Sequence, residues 1–154
     1  LHRTISDMAP SVHSLDHLVL TVRDPEAAIG FYTTVLGMTA QTFFPTDGPP
    51  RLALKFGVQK INLHVAGSEF TPHARAPGPG SADLCFLSDT PLPDWQAHLA
   101  GHAVAIEAGP VQRTGAQGPL LSIYLRDPDL NLQPRAEPFH GVTAAGCAGR
   151  SRHS

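Results

Sequence analysis

The stretch LDHLVLTVRDPEAAIGFYTTVLGM, residues 15–38, decides how the rest of the chain is read. From Leu15 to Val22 it alternates, with Asp16, Leu18, Leu20 and Val22 on one face and Leu15, His17, Val19 and Thr21 on the other. That is the period of a strand. Asp24-Pro25-Glu26 then supplies an N-cap, a proline at the first helical position and an early acid. Ala27, Ala28, Phe31, Tyr32, Val35 and Leu36 recur at helical spacing, and Gly37 ends the helix.

Downstream, strands are predicted over 38–44, 51–56 and 60–66, separated by a Pro/Gly turn at 45–50 and a tight turn at Gly57. TPHARAPGPG, residues 71–80, is a linker by composition. The same order of elements then returns: a strand over 82–87, a helix over 91–100 around Trp95 and Leu99 stopped by Gly101, and strands over 103–108, 120–125 and from Leu130 onward. Aligning Leu18 with Leu84 and Leu20 with Phe86 puts Asp83 in the place of His17, so the chain reads as an internal duplication. The predicted fold is α+β, two repeated βαβββ modules whose curved mixed sheets form a shared cleft. Module one spans 14–70, the linker 71–80 and module two 81–137, with tails at 1–13 and 138–154, the latter expected to be disordered.

Composition narrows the partners. The 154 residues are 42% apolar, enough for a core, and carry a net charge of −2 with singly scattered basic residues. This excludes the electrostatic footprint of nucleic acid and a polybasic membrane patch. No apolar run approaches the roughly 20 residues of a membrane span, and no secretory pattern opens the sequence, so a cytoplasmic protein is expected. Cys85 and Cys147 make no disulfide framework, and Cys85 is expected to be buried packing. The expected partners are a small molecule and a second copy of the chain.

Four blocks, 15–38, FGVQKINLHVAG at 56–67, PGSADLCFLSDTPL at 79–92 and VQRTGAQGPLLSIYLRDPDLNL at 111–132, together resemble the vicinal oxygen chelate superfamily of glyoxalases, bleomycin-resistance proteins and extradiol dioxygenases. Within it the resemblance is to the glyoxalase-domain-containing protein 5 subgroup. It implies a divalent metal (Ni, Zn, Mn or Fe) that chelates two adjacent substrate oxygens and stabilises an enolate or oxyanion, or activates oxygen. It also implies pairing of modules within a chain or across a homodimer. Fold alone does not give the activity.

His17, in Asp-His-Leu, matches the first-strand ligand of that family, and Asp83 takes the same place in module two, as a hard-cation ligand or a structural hydrogen-bonding group. On the strand INLHV, either Asn62 and His64 face the cleft or Leu63 and Val65 do. Aligning the Asn-Leu pairs at 62–63 and 131–132 makes His64 equivalent to Gln133 and drops the terminal family Glu onto Pro134, which has no ligating side chain. If His64 and Gln133 face inward, the metal set is His17, His64, Asp83 and Gln133. If not, only His17 and Asp83 remain. After Leu132 strand alternation is lost, and Pro134 and Pro138 argue for a loop. Either the segment has diverged, with Glu137 reaching back to the cleft, or a change of reading frame has removed a ligand.

Arg113, in a loop expected at 113–118, is a candidate for holding substrate carboxylate or phosphate, and Tyr124 lies where relatives carry a catalytic, hydrogen-bonding tyrosine. Arg126-Asp127-Pro128-Asp129 reads as a structural turn, and Phe31, Tyr32 and Trp95 as packing. Histidines 2, 13, 73, 98, 102, 140 and 153 lie in tails, linker or helix surface and imply no cluster. The leading expectation is a metal-dependent lyase, isomerase or dioxygenase of the glyoxalase type acting on a small substrate with adjacent oxygens. The second, the alternative, is a metal-free binding protein of the bleomycin-resistance type. The missing Glu at Pro134 favours the second.

Overall fold

The computed structural model describes residues 9–138, so the tails expected at 1–13 and 138–154 fall largely outside the described residues, as does Cys147. Module one is β1 (His17–Val22), α1 (Pro25–Gly30) running into a π-helical turn (Phe31–Val35), β2 (Thr39–Phe43), β3 (Arg51–Phe56) and β4 (Gln59–Val65). Module two is β5 (Phe86–Leu87), α2 (Leu92–Gly101), β6 (Ala108–Gly115), β7 (Gly118–Arg126) and β8 (Leu132–Pro138). The sheets have the orders β1-β4-β3-β2 and β5-β8-β7-β6. In each, the first and last strands of the module pair in parallel and the other pairs are antiparallel. This is the βαβββ unit twice over.

Local chemistry explains the first module. The Asp24 carboxylate accepts from the Glu26 backbone N–H at 3.0 Å, capping a helix whose first residue, Pro25, has no N–H to lose. Gly37, at φ +75°, takes the left-handed turn that ends it.

Both sheets turn one face inward. Leu20, Val22, Tyr32, Leu54, Ile61 and Leu63 form one core cluster, against which Leu84 and Phe86 of module two pack. Val35 joins Leu92, Leu99, Ile123 and Leu125 in a second. The modules are thus sealed through their helix-side faces, and Phe56 meets Phe86 edge to face at 5.2 Å. His98 lies on the exposed surface of α2, as expected, and its Nε2 lies 2.9 Å from the carbonyl of buried Val35, tying α2 to the end of the first helix.

Three segments differ from expectation. The segment 103–107 is not a strand: Val104 and Ile106 pack against the second cluster from a loop, so their alternation records burial, and β6 begins where a strand was expected to end. Arg113 to Gly115 belong to β6, so the loop expected at 113–118 is the tip of a hairpin. Most consequentially, the chain does not abandon strand geometry after Leu132. β8 runs through Pro134 to Pro138, paired along its length with β7. Pro134 has no N–H to give the parallel ladder, and regular pairing with β5 is confined to Phe86 and Leu87 beyond an isolated bridge at Asp83. No helix among the described residues is long and apolar enough to cross a membrane.

Candidate functional site

With Leu18, Leu20 and Val22 turned inward, β1 presents His17, Val19 and Thr21 on its other face, and β4 adds Asn62 and His64 beside them. In module two, Leu84 and Phe86 point into the core, so Asp83, Cys85 and Leu87 point out. Cys85 is therefore exposed and not the buried packing residue expected. Strand parity decides this.

These outward faces line two concavities, one mainly on each module's sheet. The module-two cavity, about 620 Å³, is bounded by β5, the β6–β7 hairpin and Pro134 of β8. Its walls are mostly Leu87, Leu120, Pro119 and Pro134, with polar groups at Asp83, Arg113, Ser122 and Tyr124. Arg113 and Tyr124, the two residues chosen from sequence to position substrate, meet there: Arg113 Nε donates to Tyr124 Oη at 2.9 Å. Because the phenol oxygen accepts that bond, its own proton is available to a ligand, as are the guanidinium N–H groups not used on the Gln112 carbonyl. Arg126, at the end of β7, makes a two-pronged pair with Glu107, both contacts 2.9 Å. That pairing holds the Glu107 carboxyl below the usual range and raises Arg126 further.

The module-one cavity, about 350 Å³, lies between the β1–β4 face and the linker, and carries His17, His64 and, from the linker, His73. His17 is half-exposed, and its Nδ1 lies 2.9 Å from the Asp16 carboxylate, a hydrogen bond that lowers the Asp16 pKa. His64 is 7% exposed and packs edge to face on Phe70 at 5.3 Å. Burial, then the nearby Arg51 charge, lower its pKa.

The four expected metal donors do not converge. His17 pairs with Lys60 and Thr21 with His64, so His17 and His64 stand four residues apart along neighbouring strands, about 13 Å at strand rise. Ligand bonds near 2 Å cannot bridge that. Asp83 lies in the other cavity. Gln133 is fully buried on the core side, where its Nε2 donates to Tyr32 Oη at 2.9 Å. Alignment through the Asn-Leu pairs misplaces it: since His17 faces Lys60 and Asp83 faces Leu132, Pro134 corresponds to Asn62 and Ala136 to His64. Glu137 lies on Gln133's side of β8 and so does not reach the cleft face. Among the described residues no three His, Cys, Asp or Glu side chains gather to hold a metal. The donor set does not fit the family's metal within one chain.

The turn at 126–129 is structural, as expected. Asp127, 3% exposed, accepts from the Asp129 and Asn131 N–H groups, from Asn131 Nδ2 and from Tyr32 Oη. Sequence reasoning missed Cys85, Leu87 and Ser122 as cavity residues, although their parity with Leu84, Phe86 and Ile123 would have found them.

Two curved four-stranded sheets of βαβββ topology, with ligand-sized concavities on their outer faces, define the class. The chain belongs to the glyoxalase/bleomycin resistance protein/dioxygenase superfamily, whose family model matches residues 14–132. It is 55% identical over 122 residues to the glyoxalase domain-containing protein RDO1 of Mycosarcoma maydis, covering 79% of this chain and 66% of that protein, just under two thirds of its length. It is 51% identical over 121 residues to virulence protein STM3117 of Salmonella typhimurium, covering 79% of this chain and 81% of the relative. Among solved structures it resembles the integron cassette protein VCH_CASS1 from the mobile metagenome of V. cholerae, with a TM-score of 0.79 and 50% identity over 84% of this chain and 98% of that one.

Proposed function

We propose that this chain is a small-molecule-binding protein of the bleomycin-resistance type, which holds in its module-two cavity a compound with neighbouring oxygens, one of them anionic, on an apolar body. The observation that carries this is the Arg113–Tyr124 pair, two hydrogen-bond donors joined at 2.9 Å inside a largely apolar cavity. A carboxylate takes the guanidinium fork, its adjacent hydroxyl or carbonyl oxygen takes the Tyr124 proton, and Leu87, Leu120 and Pro134 cover the remainder. Pro134 stands where the resemblance places a carboxylate ligand, which supports binding without a resident metal.

The second reading, a metal-dependent enzyme of the glyoxalase-domain-containing protein 5 subgroup, is supported by His17. Its Nδ1 is held by Asp16 while the ring is half-exposed on the cleft face, the arrangement that orients a ligating imidazole. That reading requires donors from a second copy, in keeping with a cytoplasmic homodimer. Mandelate, a carboxylate with an α-hydroxyl on a phenyl ring, separates the two. Saturable binding that Arg113→Gln weakens at least tenfold, with no metal in the purified protein by plasma mass spectrometry, is the expected result. Near-stoichiometric Ni, Zn, Mn or Fe that disappears in His17→Ala would overturn it in favour of the enzyme.

A further inference from the structure

The module-one cavity carries a signal of its own. Three side-chain atoms on its wall, Arg51 Nε, Asn62 Oδ1 and His64 Nδ1, are buried without a hydrogen-bond partner. Their positions are adjacent: His64 stands beside Thr21 across β1 and β4, while Asn62 faces Ala53 of β3, the strand that begins at Arg51. Phe70, the residue before the linker, roofs them, with the Arg51 guanidinium 4.1 Å above its ring and His64 against its edge. Buried polar groups in native proteins find partners, so a group of three orphans in one roomy place marks a missing one.

The charge of the wall says what kind. Arg51 is its formal cation, His17, His64 and His73 are its other titratable groups, and no Asp or Glu lines it. The carboxylate nearest by chain, Glu69, accepts from the Gly67 N–H at 3.0 Å in its own turn. Asp16 holds His17 and Glu69 acts electrostatically on His64, so the charge left over is that of Arg51, which makes no ion pair among the described residues. A cation in a concavity with low-dielectric walls attracts anions.

We propose that this cavity is a second ligand site, separate from the Arg113–Tyr124 cavity, which takes a small oxyanion, a carboxylate or a phosphate group. One ligand oxygen pairs with the Arg51 guanidinium, His64 donates to another, and Asn62 uses its carbonyl for a hydroxyl or amide donor on the ligand. Phe70 is the roof that the ligand displaces. The site extends the proposed function without depending on it, since the two cavities share no residue.

The test uses the full chain, with inorganic phosphate and malonate as probes and nitrogen-15 spectra of the Arg51 Nε–H and the His64 ring as the readout. The expected result is saturable shifts at Arg51 and His64 with one probe or both, with at least tenfold weaker binding in Arg51→Gln. Arg113→Gln should leave these shifts unchanged. Selective response to phosphate or to malonate names the source of the oxyanion. His64→Asn serves as a second variant should Arg51→Gln melt early, and it too should weaken binding. Shifts confined to Arg113 and Tyr124, no shift with either probe at millimolar concentration, or equal binding by folded Arg51→Gln overturns the second site.

Discussion

Tyr32, in the first helix, donates its hydroxyl proton to the Asp127 carboxylate at 2.5 Å, joining module one to the β7–β8 turn of module two. The same phenol oxygen accepts from Gln133. Tyr32, Asp127 and Gln133 are all buried. Removing the hydroxyl leaves a carboxylate oxygen and an amide without that partner, at a cost of about 1–3 kcal/mol. Tyr32→Phe should therefore lower the thermal midpoint by several degrees while leaving mandelate affinity at the Arg113 site close to wild type. Calorimetry on both proteins checks this. An unchanged midpoint would mean that the network is satisfied by other groups.

Arg113→Gln keeps a hydrogen-bond donor and loses the charged fork. A hydrogen bond to a charged group contributes about 1.5–3 kcal/mol, so mandelate binding should weaken roughly tenfold to a hundredfold. Tyr124→Phe should weaken it by a smaller factor and disturb the Arg113 side chain, whose Nε then lacks its acceptor. Titration calorimetry on the two variants separates the effects.

His64 has its pKa lowered from 6.5, first by burial and then by Arg51. The unfolded chain therefore binds a proton more readily than the folded one, and folding stability drops as pH falls below 6.5 toward the folded value. Above 6.5 the residue is neutral in both states and contributes no pH dependence. In His64→Phe the decline of thermal midpoint on the acid side should be shallower than in the wild type. Parallel acid limbs would remove His64 from the pH response.

Gly109, at φ +95°, sits in the register break between Ala108 and Val111, and a Cβ there would overlap the Ser122 carbonyl oxygen. The obstacle is backbone, so it cannot move aside cheaply. Gly109→Ala should cost about 1–3 kcal/mol or more through strain and crowding, and it should shift β6 against β7, loosening the Arg113–Tyr124 contact. Denaturant melts and mandelate titration of the variant should both register the change.

Much of the fold was legible from local pattern. LDHLVLTV with the Asp-Pro-Glu cap specified β1 and α1, and the repeat of Leu18 and Leu20 in Leu84 and Phe86 exposed the duplication. The Arg113–Tyr124 pair was within reach because both residues lie on a hairpin, where register follows from a short turn. Gln133 was not. Its side of the sheet depends on how β8 docks between β5 and β7, and the Asn-Leu alignment chose the wrong register. Val104 and Ile106 misled for the opposite reason, since alternating burial does not require strand pairing.

By itself the sequence determined the order of elements, their inward and outward parity in β1, and the presence of two modules, because a period of two or of 3.6 residues is a property of neighbours along the chain. Only the tertiary structure decided that Pro134 sits within a strand, that Cys85 opens onto a cavity, that Gln133 serves the core, and that His17 and Asp83 line separate concavities. Each depends on contacts between residues far apart in sequence. A one-residue choice of register moves a side chain from core to cleft, and no local pattern carries that choice.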